Sequence, residues 1–153
     1  MRVEIERKFL VRSDAWRRMA DEGMICRQGY LASDDQKTVR VRRIGDRGFL
    51  TIKGATSGIS RAEFEYEIDA ADAGQLLTLC ETVVEKIRYQ LQHAGVTWEI
   101  DVFHGANQGL VLAEVELASE DQPIELSDWV GEEVSDDPRY FNACLARHPF
   151  SEW

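Results

Sequence analysis

Apolar and charged positions alternate through most of this chain, and the alternation defines its elements. Residues 2–12 set Val3 and Ile5 against Glu4, Glu6 and Lys8, then turn apolar at Phe9, Leu10 and Val11. Successive side chains on a strand leave opposite faces, so Glu4, Glu6 and Lys8 share one face. The same period runs through 37–44 (Arg40, Arg42 against Val39, Val41), 48–53 (Lys53 against Ile52) and 60–68 (Glu63, Glu65 against Phe64, Tyr66). It continues in 83–93 (Lys86, Arg88 against Ile87, Tyr89), 96–103 (Asp101 against Ile100, Val102) and 110–118 (Glu114, Glu116 against Val115, Leu117). Residues 24–34 read as a further strand, which makes eight.

Turn chemistry separates these segments. Gly45-Asp46-Arg47 and Ala94-Gly95 are hairpin turns, and 54–58 is a flexible loop. Ser13 caps a short helix over 14–21 that ends at Gly23. Asp69 or Asp72 starts a second helix that reaches residue 80, with Leu76, Leu77 and Cys80 on its apolar side. A third runs from Asp137 or Pro138 to Arg147 and is stopped by Pro149. Hairpin-linked strands with a few helices predict an α+β fold: an eight-stranded antiparallel β-barrel with flanking helices, one domain over 1–153. A barrel leaves no sheet edge unpaired, and at this strand number it has room for one small ligand.

Each charged pair alone reads as a solvated strand face, since charged residues are mostly exposed. Taken together the pairs read differently. Some strands select Arg and Lys, others Glu, where a solvent face mixes Thr, Ser, Gln and Lys. The charged faces therefore line the barrel and the apolar faces pack outside it. The helices with Leu76, Leu77, Trp129, Tyr140 and Phe141 are expected to cover part of the outer face. Arg is suited to phosphate through its planar fork, and Glu pairs two residues apart bind hard cations through oxygen. Tyr30 is a further candidate for the interior, with an equally good use as core.

Composition narrows the partners. With 44% hydrophobic and 30% charged residues the chain is globular rather than disordered. A formal charge of -10 argues against nucleic acid or an anionic membrane as partner, though a local basic pocket stays open. The three cysteines (Cys26, Cys80, Cys144) are scattered, which fits a reducing cytoplasm rather than a disulfide framework or zinc site. The three histidines (His93, His104, His148) lack ligand spacing and read as surface or structural groups. The N-terminus has no apolar signal core, and no apolar run approaches the roughly 20 residues that span a bilayer. The loop 54–58 lacks the G-K-[ST] ending of a P-loop.

The ordered series resembles the CYTH-domain proteins of the triphosphate tunnel metalloenzyme superfamily. It comprises Glu4, Glu6 and Lys8, then Arg40 and Arg42, Lys53, Glu63 and Glu65, Lys86 and Arg88, Asp101, and Glu114 with Glu116. The resemblance keeps the order of the family's strands over nearly the whole chain. It implies an antiparallel tunnel that binds triphosphate groups with Mg2+ or Mn2+. Glu4, Glu6, Glu114 and Glu116 would hold the metal, and Lys8, Arg40, Arg42, Lys53, Lys86 and Arg88 the phosphates. Glu63, Glu65 and Asp101, with Lys8, would carry catalytic roles: the carboxylates serve a second metal, orient water or position the bases.

The activity implied is hydrolysis of inorganic tripolyphosphate to pyrophosphate and phosphate, by metal-assisted attack of water. Within the family the rivals are class IV adenylate cyclase, thiamine triphosphatase and nucleoside triphosphatase. An organic group needs a recognition surface, often an aromatic one, and Trp98 shares the outward parity of Ile100. A non-catalytic polyphosphate-binding module would not need both glutamate pairs, and a barrel that is only a scaffold would need neither.

Overall fold

The computed structural model describes residues 2–153. Its strands are β1 (Arg2–Val11), β2 (Met24–Ser33), β3 (Lys37–Ile44), β4 (Arg47–Gly54), β5 (Ser60–Ile68), β6 (Val83–His93), β7 (Val96–Phe103), β8 (Val111–Glu116) and β9 (Val130–Glu133). Two α-helices, α1 (Ala70–Leu77) and α2 (Asn142–Arg147), accompany them. The sheet runs β5-β4-β3-β2-β6-β7-β8-β1, and β1 pairs back onto β5 to close an antiparallel barrel. The expected eight strands and their order therefore stand.

The closing seam explains the ninth strand, which the sequence pattern did not indicate. β1 pairs with β5 only over Arg2 to Ile5, while its other edge pairs with β8 from Glu6 to Leu10. The edge that β5 leaves free would expose unpaired backbone groups. β9 covers it, with Phe9 opposite Glu133 and Val11 opposite Val130.

The main core lies outside the barrel, as the strand parity requires. Trp98 and Ile100 of β7, Ala113 and Val115 of β8, Leu91 of β6 and Phe9 of β1 form one cluster. Trp16, on a 3-10 turn (Ala15–Met19), and Trp129, beside β9, cover it. That 3-10 turn stands where the sequence predicts an α-helix over 14–21. Trp98 packs against Phe9 at 5.6 Å and against Trp129 at 5.5 Å between ring centroids. A smaller outer cluster sits under α1, where Ala73 and Leu77 meet Val41. Asp69 caps this helix through its side chain, accepting from Ala71 N and Asp72 N. Gly48 permits the close approach, because a Cβ there would lie 2.7 Å from that of Ala73.

Two of the expected outer covers are instead inside. Tyr140 joins Val84, Phe103, Leu110, Leu112 and Leu145 in a cluster that fills one end of the barrel, and Phe141 lines the interior cavity. The physical reason is that the inward face turns apolar at that end: Val84, Phe103 and Leu112 have the parity of Lys86, Asp101 and Glu114. An apolar lining there must be buried against something, and the C-terminal segment supplies it. The segment bends to do so, as a 3-10 turn (Pro138–Tyr140) followed by α2 rather than one helix. Among the described residues no helix is long and apolar enough to cross a membrane.

The outer cluster should carry much of the stability. Trp98 is 0% exposed, and Trp98→Ala should cost about 3–5 kcal/mol in chemical denaturation. Leu79→Ala, at a position 72% exposed, should change stability by less than about 0.5 kcal/mol. Equal losses at the two positions would refute an outer core.

Candidate active site

The barrel encloses a cavity of about 740 Å³. Its wall carries Glu4, Glu6 and Lys8 of β1, Arg40 and Arg42 of β3, Lys53 of β4, and Glu63 and Glu65 of β5. Arg88 of β6 and Glu114 and Glu116 of β8 complete the predicted set that lines it. Tyr30 lines it as well, its hydroxyl accepting from Gln28 Nε2 at 3.1 Å. Lys86 and Asp101 face inward but do not reach the cavity; they lie behind the wall, 1% and 0% exposed.

Buried charge is costly unless paired, and the pairing here is extensive. Asp101 accepts from Lys86 Nζ at 2.7 Å and from Arg88 Nε and Nη2 at 2.8 Å each. Burial alone would raise the Asp101 pKa, but Arg88 and Lys86 together hold it well below the usual carboxylate range. Both its oxygens are occupied, so its geometry suits orienting these two cations. Burial pushes Lys86 down to about 8, with Asp101 opposing and Arg88 and Arg42 reinforcing the shift. Glu114 lies 3.4 Å from both Lys8 Nζ and Arg88 Nη2. Lys8 also donates to the Tyr140 carbonyl at 3.1 Å.

On the opposite wall Lys53 Nζ donates to both oxygens of Glu4, at 2.8 and 2.9 Å. Burial raises the Glu4 pKa, yet Lys53, Glu63 and Arg61 outweigh it and hold the group at about 2. Glu63 receives Arg2, and Glu65 accepts from the Thr51 hydroxyl at 3.0 Å. Arg40 reaches Thr51 Oγ1 at 3.2 Å and lies 3.6 Å from Glu65. Its Nε is buried without a hydrogen-bond partner among the described residues. Arg42 spends two donors on Gln28 Oε1, at 2.9 and 2.7 Å, and pairs with no carboxylate among the described residues.

Glu6 is the unpaired carboxylate. It is half-buried, and no ion pair or hydrogen bond engages its side chain among the described residues. Burial pushes its pKa up to about 7, joined by the charges of Glu114 and Glu4 and opposed by Lys8 and Lys53. Glu116 stands directly across the strand pair from it. Burial raises the Glu116 pKa too; Arg2 resists the shift, and Glu4, Glu63 and Glu99 add to it. Burial and like-charge crowding raise both values, and Arg2, 3.6 Å from Glu116, does not offset them there. The carboxylates offer oxygen donors alone, which fit a hard divalent cation better than a soft metal. Among the described residues no three acidic, His or Cys side chains already converge as ligands, because Glu4 and Glu114 turn to lysine and arginine.

Several site residues escape a reading of charged pairs. Glu99 lines the cavity and lies 3.2 Å from Arg88; it has the parity of Asp101, a signal available in the sequence. Thr51 and Gln28, both fully buried, share the parity of Lys53 and Tyr30. Arg61 lies 3.4 Å from Glu4, and Asn142 accepts from Lys86 at 2.9 Å. Nothing in the strand pattern points to Asn142, which arrives from the C-terminal segment.

Replacing Asp101 by Asn should leave Lys86 and Arg88 short of charge and cost about 3–5 kcal/mol at neutral pH. The Asp101 pKa is lowered in the folded state, so its stabilisation is full above the ordinary value of 3.8 and fades as pH falls through the folded value. Melting temperatures of wild type and Asp101→Asn should therefore converge below that pH. A gap that stays constant down to strongly acid pH would refute the pairing.

Comparison with known proteins agrees with this architecture. The CYTH domain profile matches residues 2–141. An inorganic triphosphatase of Acetivibrio thermocellus is 48% identical over 155 aligned positions, covering 100% of this chain and 99% of the relative. One of Nitrosomonas europaea is 40% identical, covering 94% and 97%. A crystal structure of an inorganic triphosphatase, 38% identical, superposes with a TM-score of 0.67 over 95% of each chain. The PH1012 protein of Pyrococcus horikoshii shares the fold at 22% identity, with a TM-score of 0.60 over 76% of this chain and 80% of that one. The chain belongs to the CYTH domain family.

Proposed function

We propose that this protein hydrolyses inorganic tripolyphosphate to pyrophosphate and phosphate with the help of a divalent cation, Mg2+ or Mn2+. The observation that carries the proposal is the coexistence, in one cavity, of cations and carboxylates that do not neutralise each other. Among the described residues Arg42 has no acid partner and Arg40 keeps a buried donor free, while Glu6 has no ion pair and faces Glu116, whose one base is the exposed Arg2 at 3.6 Å. A metal-bound polyanion satisfies both sets at once. The two relatives named inorganic triphosphatase, at 48% and 40% identity, support the same reading.

The placement of the side chains supports the following roles. Arg40, Arg42, Lys53, Lys8 and Arg88 bind the phosphate oxygens and hold the chain in line for attack by water. Lys86 backs Arg88 through Asp101. Glu6 and Glu116, joined by Glu4 and Glu114, hold the cation. The cation supplies Lewis acidity and neutralises phosphate charge. Glu63 and Glu65 orient Lys53, Arg40 and the attacking water. Water adds to the terminal phosphorus as the bridging P–O bond breaks. The departing pyrophosphate oxygen takes up charge that the basic wall neutralises.

The aromatic side chains argue for a short inorganic substrate over an adenine- or thiamine-bearing one. Trp98 and Trp129 are buried in the outer cluster. Of the rings at the cavity, the Tyr30 hydroxyl is tied to Gln28, and Phe141 lies 5.6 Å from the Lys8 ammonium.

Tripolyphosphate, ATP and thiamine triphosphate, each with Mg2+, Mn2+ or a chelator, separate the possibilities. Phosphate and pyrophosphate should appear from tripolyphosphate, and chelation should abolish turnover. Cyclic AMP as the preferred product would overturn the hydrolase reading, and no metal-dependent turnover of any substrate would overturn the enzyme. Arg40→Ala and Arg42→Ala should each lower kcat/KM by about tenfold to a hundredfold, the scale of a lost hydrogen bond to a charged group, with the fold intact by circular dichroism. Unchanged kinetics would refute the phosphate-binding assignment.

A further inference from the structure

Lys86 poses a problem for any account in which every lumen base touches the substrate. Its ammonium is behind the wall, with Asp101 Oδ2 at 2.7 Å and Asn142 Oδ1 at 2.9 Å. Asn142 itself lines the cavity. It stands between the buried lysine and the space where a substrate would lie, on the C-terminal segment, one residue beyond the matched span of the family profile.

The chemistry of the pair fixes the amide's orientation. An ammonium has only donors, so the group facing Lys86 is the carboxamide oxygen. The carboxamide nitrogen then carries two N–H donors, and no protein acceptor engages them among the described residues. The neighbouring turn is held in a similar way: the Tyr140 carbonyl accepts from Lys8, and the Phe141 ring lies against the same ammonium. Residues 140–142 are thus anchored to two lysines of the barrel by neutral oxygens, which take a proton donor without cancelling its charge.

We propose that Asn142 is a substrate-binding residue whose amide nitrogen, turned to the cavity by Lys86, donates to a phosphate oxygen of the polyphosphate. Lys86 then acts through Asn142 rather than by touching the substrate, and its positive charge polarises the amide as a donor. This rests on the hydrolase reading above and adds a contact from outside the barrel strands. The chemical class recognised is a phosphoryl oxygen anion, to which a neutral N–H is a suitable and charge-conserving partner.

Asn142→Asp keeps the shape and the bond to Lys86 but presents an acceptor and a negative charge to the substrate. Asn142→Leu keeps the volume and removes both bonds. Asn142→Asp should raise KM for tripolyphosphate more than tenfold and Asn142→Leu about tenfold, both with kcat within threefold of wild type. A falling kcat at unchanged KM would mark a structural role and overturn the proposal, as would KM values within twofold of wild type. Lys86→Met should raise KM less in Asn142→Leu than in the wild-type background, the remainder being its support of Arg88 through Asp101; fully additive effects would overturn the coupling of Lys86 to Asn142. Binding of a non-hydrolysable triphosphate analogue, measured by calorimetry with Mg2+ present, should follow the same order. If wild type binds tripolyphosphate without hydrolysing it, the hydrolase reading fails and Asn142 is judged on binding alone. If wild type does neither, both fail.

Discussion

Charge placed inside a closed barrel must be neutralised locally, and the structure is organised around that requirement. Desolvating one unpaired carboxylate or ammonium costs several kcal/mol after relaxation, comparable to the whole stability of a small domain. Asp101 meets the requirement on one side by engaging Lys86 and Arg88 together, and Glu4 meets it on the other through Lys53. These pairs bring the basic and acidic strands to fixed positions. They also leave a remainder. Among the described residues Arg42 leans on a neutral glutamine, Arg40 keeps a donor free, and Glu6 makes no ion pair, with the carboxylates Glu114 and Glu4 outweighing Lys8 and Lys53 around it. A site that was solely structural would have paired this remainder too, since opposite charges were available in the same cavity.

An interior given over to charge displaces the core. In most small barrels the lumen carries the apolar packing, but here the outward faces of β6, β7, β8 and β1 do. Two outer elements then become obligatory. The Trp16 turn and the Trp129–β9 segment cover that cluster, and α1 covers Val41. β9 serves the barrel twice, by covering the edge of β1 below the closing seam and by placing Trp129 against Trp98. The end of the lumen follows the opposite rule. There the inward parity is occupied by Val84, Phe103 and Leu112, and the C-terminal segment inserts Tyr140 and Leu145 among them. The polar cavity therefore has an apolar floor on the β6, β7 and β8 side.

Parity explains which parts of this were legible in the sequence. The period of two assigns each side chain to a face, so the inward set from Glu4 to Glu116 and the outward turn of Trp98 could be read directly. It carries no information on depth along the barrel. Lys86 and Arg88 have equal standing in the sequence, yet Arg88 lines the cavity and Lys86 lies behind it, beside the filled end. Parity also cannot see what enters from outside the strands. The pattern predicts Tyr140 and Phe141 on a terminal helix outside the barrel; they and Asn142 reach the interior because the chain breaks between a 3-10 turn and α2. Glu99 is a different case: it has the right parity, but it stands outside the family series, which Asp101 completes.

The net charge of -10 then takes on a more specific meaning. At physiological ionic strength charges are screened beyond about 8 Å, so the acidic surface neither attracts nor strongly repels a polyphosphate until it reaches the mouth. Inside, the dielectric falls and each contact strengthens. Recognition of an anion by this acidic protein must then come from short-range geometry: forked guanidiniums, fixed lysines and oriented neutral donors. The carboxylates among them do not merely limit the basic charge. Under the proposed function they make anion binding depend on a cation arriving with it, because a bare polyphosphate would face Glu6 and Glu116 directly. The mixture of signs that makes the strands conspicuous is, under that proposal, what would select a polyanion with its metal over either one alone.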